Sequence, residues 1–254
     1  MSPVTAVIER HGEIAVLILD KPPVNAVDLD LVRDAEACLK GVEGDESVRG
    51  LVITGRGKCF CAGLDLKTVP YYSQSEQRRI VEELNRTVAW LYGFPVPTVA
   101  AVNGHAIAGG FILALACDYR VGTESPCLLG VTESRMGIPF PVSTMEVLRA
   151  ELSPAGARRM TLVGRNLGPR EALSAGVLDE LQSPDRIMAR AGEMALDLGS
   201  MPREAYGRIK RQLRGEALTR MDEAIRTGND PLLKMWIADE GRSASAGHLG
   251  LERD

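Results

Sequence analysis

Three observations predict an α/β fold with a helical C-terminal region. Apolar runs of strand length alternate with amphipathic stretches of helical spacing over the first two thirds of the 254 residues. Two of those runs break at glycine-bearing turns, Ala62-Gly63 and Gly109-Gly110, where the chain changes direction. The last third is helical in its periodicity, so residues 1–195 are expected to form a βα core and 196–254 a helical region. No internal repeat is visible in the sequence.

In order, Val4 to Ile8 and Ile14 to Leu19 read as two strands joined at His11-Gly12. Lys21-Pro22-Pro23-Val24-Asn25-Ala26 is a loop, because two successive prolines cannot sit inside a sheet. Leu29 to Val42 places Leu31, Ala35, Leu39 and Val42 on one helical face. Val48 to Thr54 is an apolar strand, after which Gly55-Arg56-Gly57-Lys58 turns the chain into Cys59 to Leu66. Tyr71 to Ser75 reads as a mobile surface loop, and Glu76 to Tyr92 as a long helix stopped by Phe94-Pro95-Val96-Pro97.

The stretch Pro97 to Gly110 organises the rest. It starts as a strand, breaks at Asn103-Gly104, and passes through Gly109-Gly110 into the buried helix Phe111 to Cys117. Asp118 to Val121 and Cys127 to Leu129 follow as short strands, and Thr132 to Pro139 as a loop carrying Glu133. Ser153-Pro154 opens a helix to about Val163. Pro169 to Ser174 is a short helix closed by Gly176, Leu178 begins a strand-like piece, and Ser183-Pro184 starts a helix to about Leu198. Arg203 to Arg226 and Pro231 to Asp239 are amphipathic, and the tail from Gly241 reads as loose.

Composition narrows the function. A net charge of −4 with basic residues spread along the chain argues against nucleic acid and anionic membrane surfaces as partners. No apolar run is as long as a membrane span. Five cysteines without framework spacing suit reduced thiols in the cytoplasm, and three histidines outside any ligand pattern leave little to build a zinc site from.

A glycine turn at a helix start either permits close packing or opens backbone N–H groups to an oxygen. If both strands share a sheet, the two turns can present a pair of N–H groups to an oxygen that becomes negative during reaction. Glu133 is the acid–base candidate, since it sits in a short loop between buried-looking segments, where desolvation raises a carboxyl pKa; a solvated loop residue is the alternative. Asp65 and Asp118 also border apolar runs and equally suit turn or helix caps.

Phe60-Cys61-Ala62-Gly63-Leu64-Asp65-Leu66 and Ala101-Val102-Asn103-Gly104-His105-Ala106-Ile107-Ala108-Gly109-Gly110 resemble the two oxyanion-hole signatures of the crotonase (enoyl-CoA hydratase/isomerase) superfamily. Asn25-Ala26, Ala116 to Arg120 and Glu171 to Glu180 are similar to three further elements of that family, in its order. The resemblance implies a spiral core of ββα units and a C-terminal helical region that builds homotrimers or homohexamers. It implies that Ala62 and Gly109 donate N–H groups to the thioester oxygen of an acyl-CoA, with no permanently bound cofactor and no metal. Gly63, Leu64, Asp65, Leu66 and Gly110 would line the substrate. Lys21, Val24, Ala26 and Lys67 would lie near the nucleotide; either lysine would meet a phosphate or remain an ordinary surface lysine.

Two positions bear on the reaction. Hydratases of the superfamily carry a glutamate two residues beyond the glycine pair, where this chain has Ile112, and a second that matches Glu133. The pattern resembles the mitochondrial-type Δ3,Δ2-enoyl-CoA isomerases, which work with the second glutamate alone. Pro139-Phe140-Pro141 departs from the hydratase's glycine-rich turn in a way that would narrow the acyl pocket. The expectation is therefore conversion of 3-enoyl-CoA to 2-trans-enoyl-CoA. Hydration, hydrolysis or decarboxylation of another acyl-CoA is the alternative, as is a non-catalytic CoA-binding homologue.

Overall fold

A computed structural model describes residues 3–235. The end of the last expected helix, 236–239, and the tail from Gly241 lie outside them. The elements are β1 (Ala6–His11), β2 (Ile14–Leu19), α1 (Leu29–Glu43), β3 (Gly50–Gly55), β4 (Cys59–Cys61) and α2 (Gln74–Tyr92). Next come β5 (Thr98–Val102), β6 (His105–Ile107), α3 (Gly109–Leu115), β7 (Tyr119–Thr123), β8 (Leu129–Gly130), α4 (Glu133–Met136) and α5 (Val142–Glu151). The chain continues through α6 (Pro154–Thr161), α7 (Pro169–Ser174), β9 (Glu180–Gln182), α8 (Ile187–Gly199), α9 (Arg203–Thr227) and α10 (Pro231–Met235).

The large sheet has the order β1-β2-β3-β5-β7-β9, antiparallel between β1 and β2 and parallel elsewhere. Its inner strands read as unbroken apolar runs because both faces are covered. Alternate residues divide between two clusters: Leu17, Leu51, Ile53 and Ala100 face the main core, while Val16, Val52 and Val99 pack against Ile187, Ala191 and Ala195 of α8.

A second sheet, β4-β6-β8, is all parallel with β6 in the middle. Each of its strands follows a strand of the large sheet: β3 leads to β4, β5 to β6, and β7 to β8. Three successive units thus repeat the same crossing, and the spiral of ββα units expected from the resemblance is present. The repeat invisible in the sequence is one of geometry.

Several local expectations change. Ser73 caps α2 in a reciprocal box with Glu76, so the supposed surface loop is one 3₁₀ turn (Val69–Tyr71) and a helix start. Glu133 opens the short helix α4 rather than lying in a loop. Helix α5 was not expected, because its buried face includes Ser143, Thr144 and Glu146 and carries no continuous apolar stripe. Met221 of α9 and Leu232 of α10 cover the main core, whereas Ile209 and Leu213 remain 63% and 83% exposed.

A buried ion network ties α9 to the sheet. Asp118 takes Lys210 at 2.7 Å and Arg214 at 2.8 Å, while its Oδ2 also accepts the Thr98 N–H and the Tyr206 hydroxyl. Asp118 is therefore an anchor of the helical region.

Candidate active site

Two asparagines, Asn25 fully buried and Asn103 partly so, shape the crossing from β3 to β4. Asn25 Nδ2 donates to Cys59 O at 2.8 Å and Arg56 O at 3.1 Å, and its Oδ1 accepts the Lys21 N–H. Asn103 Nδ2 donates to Gly55 O and Gly57 O at 2.8 and 2.9 Å. With these carbonyls satisfied, the chain enters the turn after β4 in a fixed path.

The backbone donors of that turn can be followed one by one. Ala62 gives its N–H to Val24 O at 3.1 Å, Gly63 faces the Cys61 sulfur, and Asp65 donates to Val27 O at 2.8 Å. Among the described residues only the Leu64 N–H of this run has no acceptor. The Ala62 N–H, expected as one of the two donors, is thus engaged by Val24 O, and the free N–H of the turn is that of Leu64. Val27 also sets the direction. Its N–H donates to Gly63 O at 2.7 Å, and a planar trans peptide then aims the Leu64 N–H the opposite way.

A second free N–H lies at the start of α3. Ala108 has φ +51°, a strained value for a residue with a Cβ, while its carbonyl accepts the Ile112 N–H and its own N–H goes to Gly130 O. The Gly109 N–H, first in the helix, has no intrahelical partner. The two glycines at this point do different work. A Cβ on Gly110 would collide with Cys61 O, the close-packing role, whereas one on Gly109 would meet only Gly63 Cα, at 3.7 Å.

Glu133 begins α4, three residues beyond β8. Its Oε2 accepts the Thr132 N–H at 2.8 Å, and among the described residues no cation pairs with it. Burial against apolar neighbours pushes its pKa up to about 7, beyond what the backbone donors pull down.

Leu64, Gly109 and Glu133 all border one cavity of about 240 Å³, as do Ala62, Leu66 and Ile112. Its walls are apolar: Val32 from α1, Leu84 and Val88 from α2, Ile138 and Pro139 beyond α4, and Leu232 from α10. The sequence gives no hint of the wall from α2 and α10, since nothing local says which apolar faces meet across a void. Val24, Ala26, Gly63, Asp65, Gly110 and both lysines are not among the lining residues. Lys67 is exposed, and Lys21 is held by Asp28 and Asp65.

Residues 9–248 match the family model described as enoyl-CoA hydratase/isomerase. The chain belongs to the enoyl-CoA hydratase/isomerase family. Among its relatives, the mitochondrial enoyl-CoA delta isomerase 1 of Rattus norvegicus is 31% identical over 218 residues, covering 82% of this chain and 73% of the relative. The crystal structure of human mitochondrial delta3-delta2-enoyl-CoA isomerase superposes with a TM-score of 0.89 at 25% identity, covering 97% of each chain. That of the enoyl-CoA hydratase EchA3 from Mycobacterium ulcerans gives 0.84 at 25% identity, covering 92% of this chain and all of that one. Family membership carries acyl-CoA chemistry with it, and the relatives include both isomerases and hydratases by name. No helix among the described residues is long and apolar enough to cross a membrane.

Proposed function

We propose that this protein is an enoyl-CoA isomerase that moves a double bond from C3 to C2 of an acyl-CoA. The observation carrying this reading is that Glu133 is the only ionisable side chain among the described residues lining the cavity. Glu133 as carboxylate takes a proton from C2, which the thioester and the C3 double bond acidify. The electrons pass to the thioester oxygen as a dienolate, held between the Leu64 and Gly109 N–H groups. The carboxylic acid then returns the proton at C4, and the C2–C3 double bond forms. Two fixed donors in a dry site contribute several kcal/mol to stabilising the dienolate. A pKa of about 7 suits a group that must both take and return a proton near neutrality.

Hydration needs a second acid–base group beside the added water, and Ile112 stands where family hydratases carry one. An isoleucine cannot activate water. Coenzyme A enters as part of the substrate, and no permanently bound cofactor is required. Lys67, exposed beside the turn after β4, is the cation we assign to the nucleotide phosphates. The exposed Ile209 and Leu213 fit burial in a homotrimer or homohexamer, and the unpaired cysteines fit a cytoplasmic protein.

The test is turnover of a 3-enoyl-CoA to its 2-trans isomer, followed by the absorbance of the conjugated thioester. Glu133→Gln should lower kcat by at least a thousandfold; an unimpaired variant would remove Glu133 from the reaction.

A further inference from the structure

Lys21 was expected either to meet a nucleotide phosphate or to lie free on the surface, and its surroundings favour neither. Its ammonium pairs with Asp28 Oδ2 and lies 3.1 Å from Asp65 Oδ2. One cation among two carboxylates leaves a local net charge of −1, which repels phosphate. Burial opposes the charge on Lys21, but the two carboxylates outweigh it and raise its pKa, so the ammonium persists.

Both partners have structural duties. Asp28 caps α1 through Oδ1, which accepts the Leu31 N–H at 3.0 Å. Asp65 directly follows Leu64; its Oδ1 accepts the Lys67 N–H at 3.0 Å and its Oδ2 the Thr68 hydroxyl at 3.2 Å. Between the two aspartates, Val27 grips the two peptides that flank the Leu64 Cα, through Gly63 O and the Asp65 N–H. Lys21 therefore clamps the Val27 segment against the Leu64 turn at the side chains that flank both.

We infer that Lys21 is a positioning residue for the Leu64 N–H donor, acting through Asp65 and Asp28, and not a ligand of the nucleotide phosphates. The inference rests on the reading that this N–H meets the thioester oxygen. Loss of the clamp lets the turn drift, and a misplacement of about 1 Å at a reacting centre costs about a hundredfold in rate.

The experiment is the carbonyl stretch of bound hexanoyl-CoA, a saturated thioester that cannot be isomerised, together with the affinity of free CoA. In the wild-type protein hydrogen bonding should lower the stretch relative to solution. Lys21→Met should lose at least half of that displacement and at least tenfold in kcat, with KM and free-CoA affinity within threefold. Lys21→Arg should restore most of both losses. Asp65→Asn, which leaves the lysine charge in place, should behave like Lys21→Met and carries the same test if that variant does not fold. A tenfold loss of CoA affinity in Lys21→Met with the carbonyl displacement intact would overturn the inference in favour of a phosphate contact. So would an Asp65→Asn protein with the wild-type displacement. No displacement in the wild type would instead overturn the oxyanion reading beneath it.

Discussion

Gly63 and Gly109 approach so closely that a Cβ on Gly63 would lie 3.0 Å from the Gly109 nitrogen. It would also lie 2.7 Å from Ala108 Cβ and 2.8 Å from Ile107 O, and Gly63 has φ +79°. The two turns that carry the free Leu64 and Gly109 N–H groups are thus in contact through a glycine that cannot be replaced without moving one of them. Gly63→Ala should fold, yet lose at least a hundredfold in kcat/KM, about 2.7 kcal/mol of barrier. Steady-state kinetics beside a melting curve checks this, and wild-type kinetics in the variant would show that the contact is unimportant.

Glu133 gives two linked pH effects of opposite sense. As base it must be ionised, so kcat/KM should fall about tenfold per unit below about pH 7. Its pKa rises from 4.5 to about 7 on folding, so the native state holds the proton more tightly than the unfolded chain. That stabilisation is full below about pH 4.5 and disappears as the pH rises through about 7, on the order of 3 kcal/mol in all. Glu133→Gln should therefore melt several degrees above wild type at pH 8 and level with it at pH 4, as differential scanning calorimetry would record.

Ile112 decides between two outcomes at one carbon skeleton. It is fully buried and borders the cavity, so no water is activated from that wall. Isomerisation of a 3-enoyl-CoA should exceed hydration of crotonyl-CoA at least a hundredfold, again about 2.7 kcal/mol. Equal or faster hydration in the unmutated protein would sink the single-glutamate mechanism.

Asp118 should matter for stability and little for chemistry. Asp118→Asn leaves Lys210 and Arg214 buried without their shared carboxylate, at a cost of about 3–5 kcal/mol. Urea denaturation would measure the loss, and kcat at 15 °C should stay within threefold of wild type.

For assembly, Leu213→Asp should shift the protein towards a 27.4 kDa species in light scattering at micromolar concentration, since an 83% exposed leucine on α9 is the residue an interface would cover. A wild type that is already monomeric would dismiss the interface.

The sequence reveals what depends on neighbours along the chain. The apolar runs of β2, β3 and β5, the helical face of α1 and the glycine break before α3 were all legible in it, because burial on one or two faces leaves a period in the residues. Which N–H of a turn stays free was not legible. It depends on Val24 and Val27, some forty positions earlier, which consume the donors on either side of Leu64. The role of Lys21 escaped for the same reason, since Asp65 is distant in sequence. Helix α5 hid behind its own polar contacts: Ser143 bonds to Asn85 of α2, and Glu146 to Arg149 and Arg220.

Leu64, Gly109 and Glu133 each lie two or three residues beyond one strand of the small sheet, whose neighbouring strands are about 4.8 Å apart. The three groups are thus suspended from separate but equivalent crossings, with the middle one between the other two. Such a layout is modular in inheritance. Mutation can rewrite the segment from Val131 to Ile138, exchanging Glu133 or its surroundings, while the scaffolding under the Leu64 and Gly109 N–H groups stays as it was. On the proposed reading, a change of reaction needs new residues only in this stretch and at the Ile112 wall, so related genes can diverge in chemistry long before they diverge in shape.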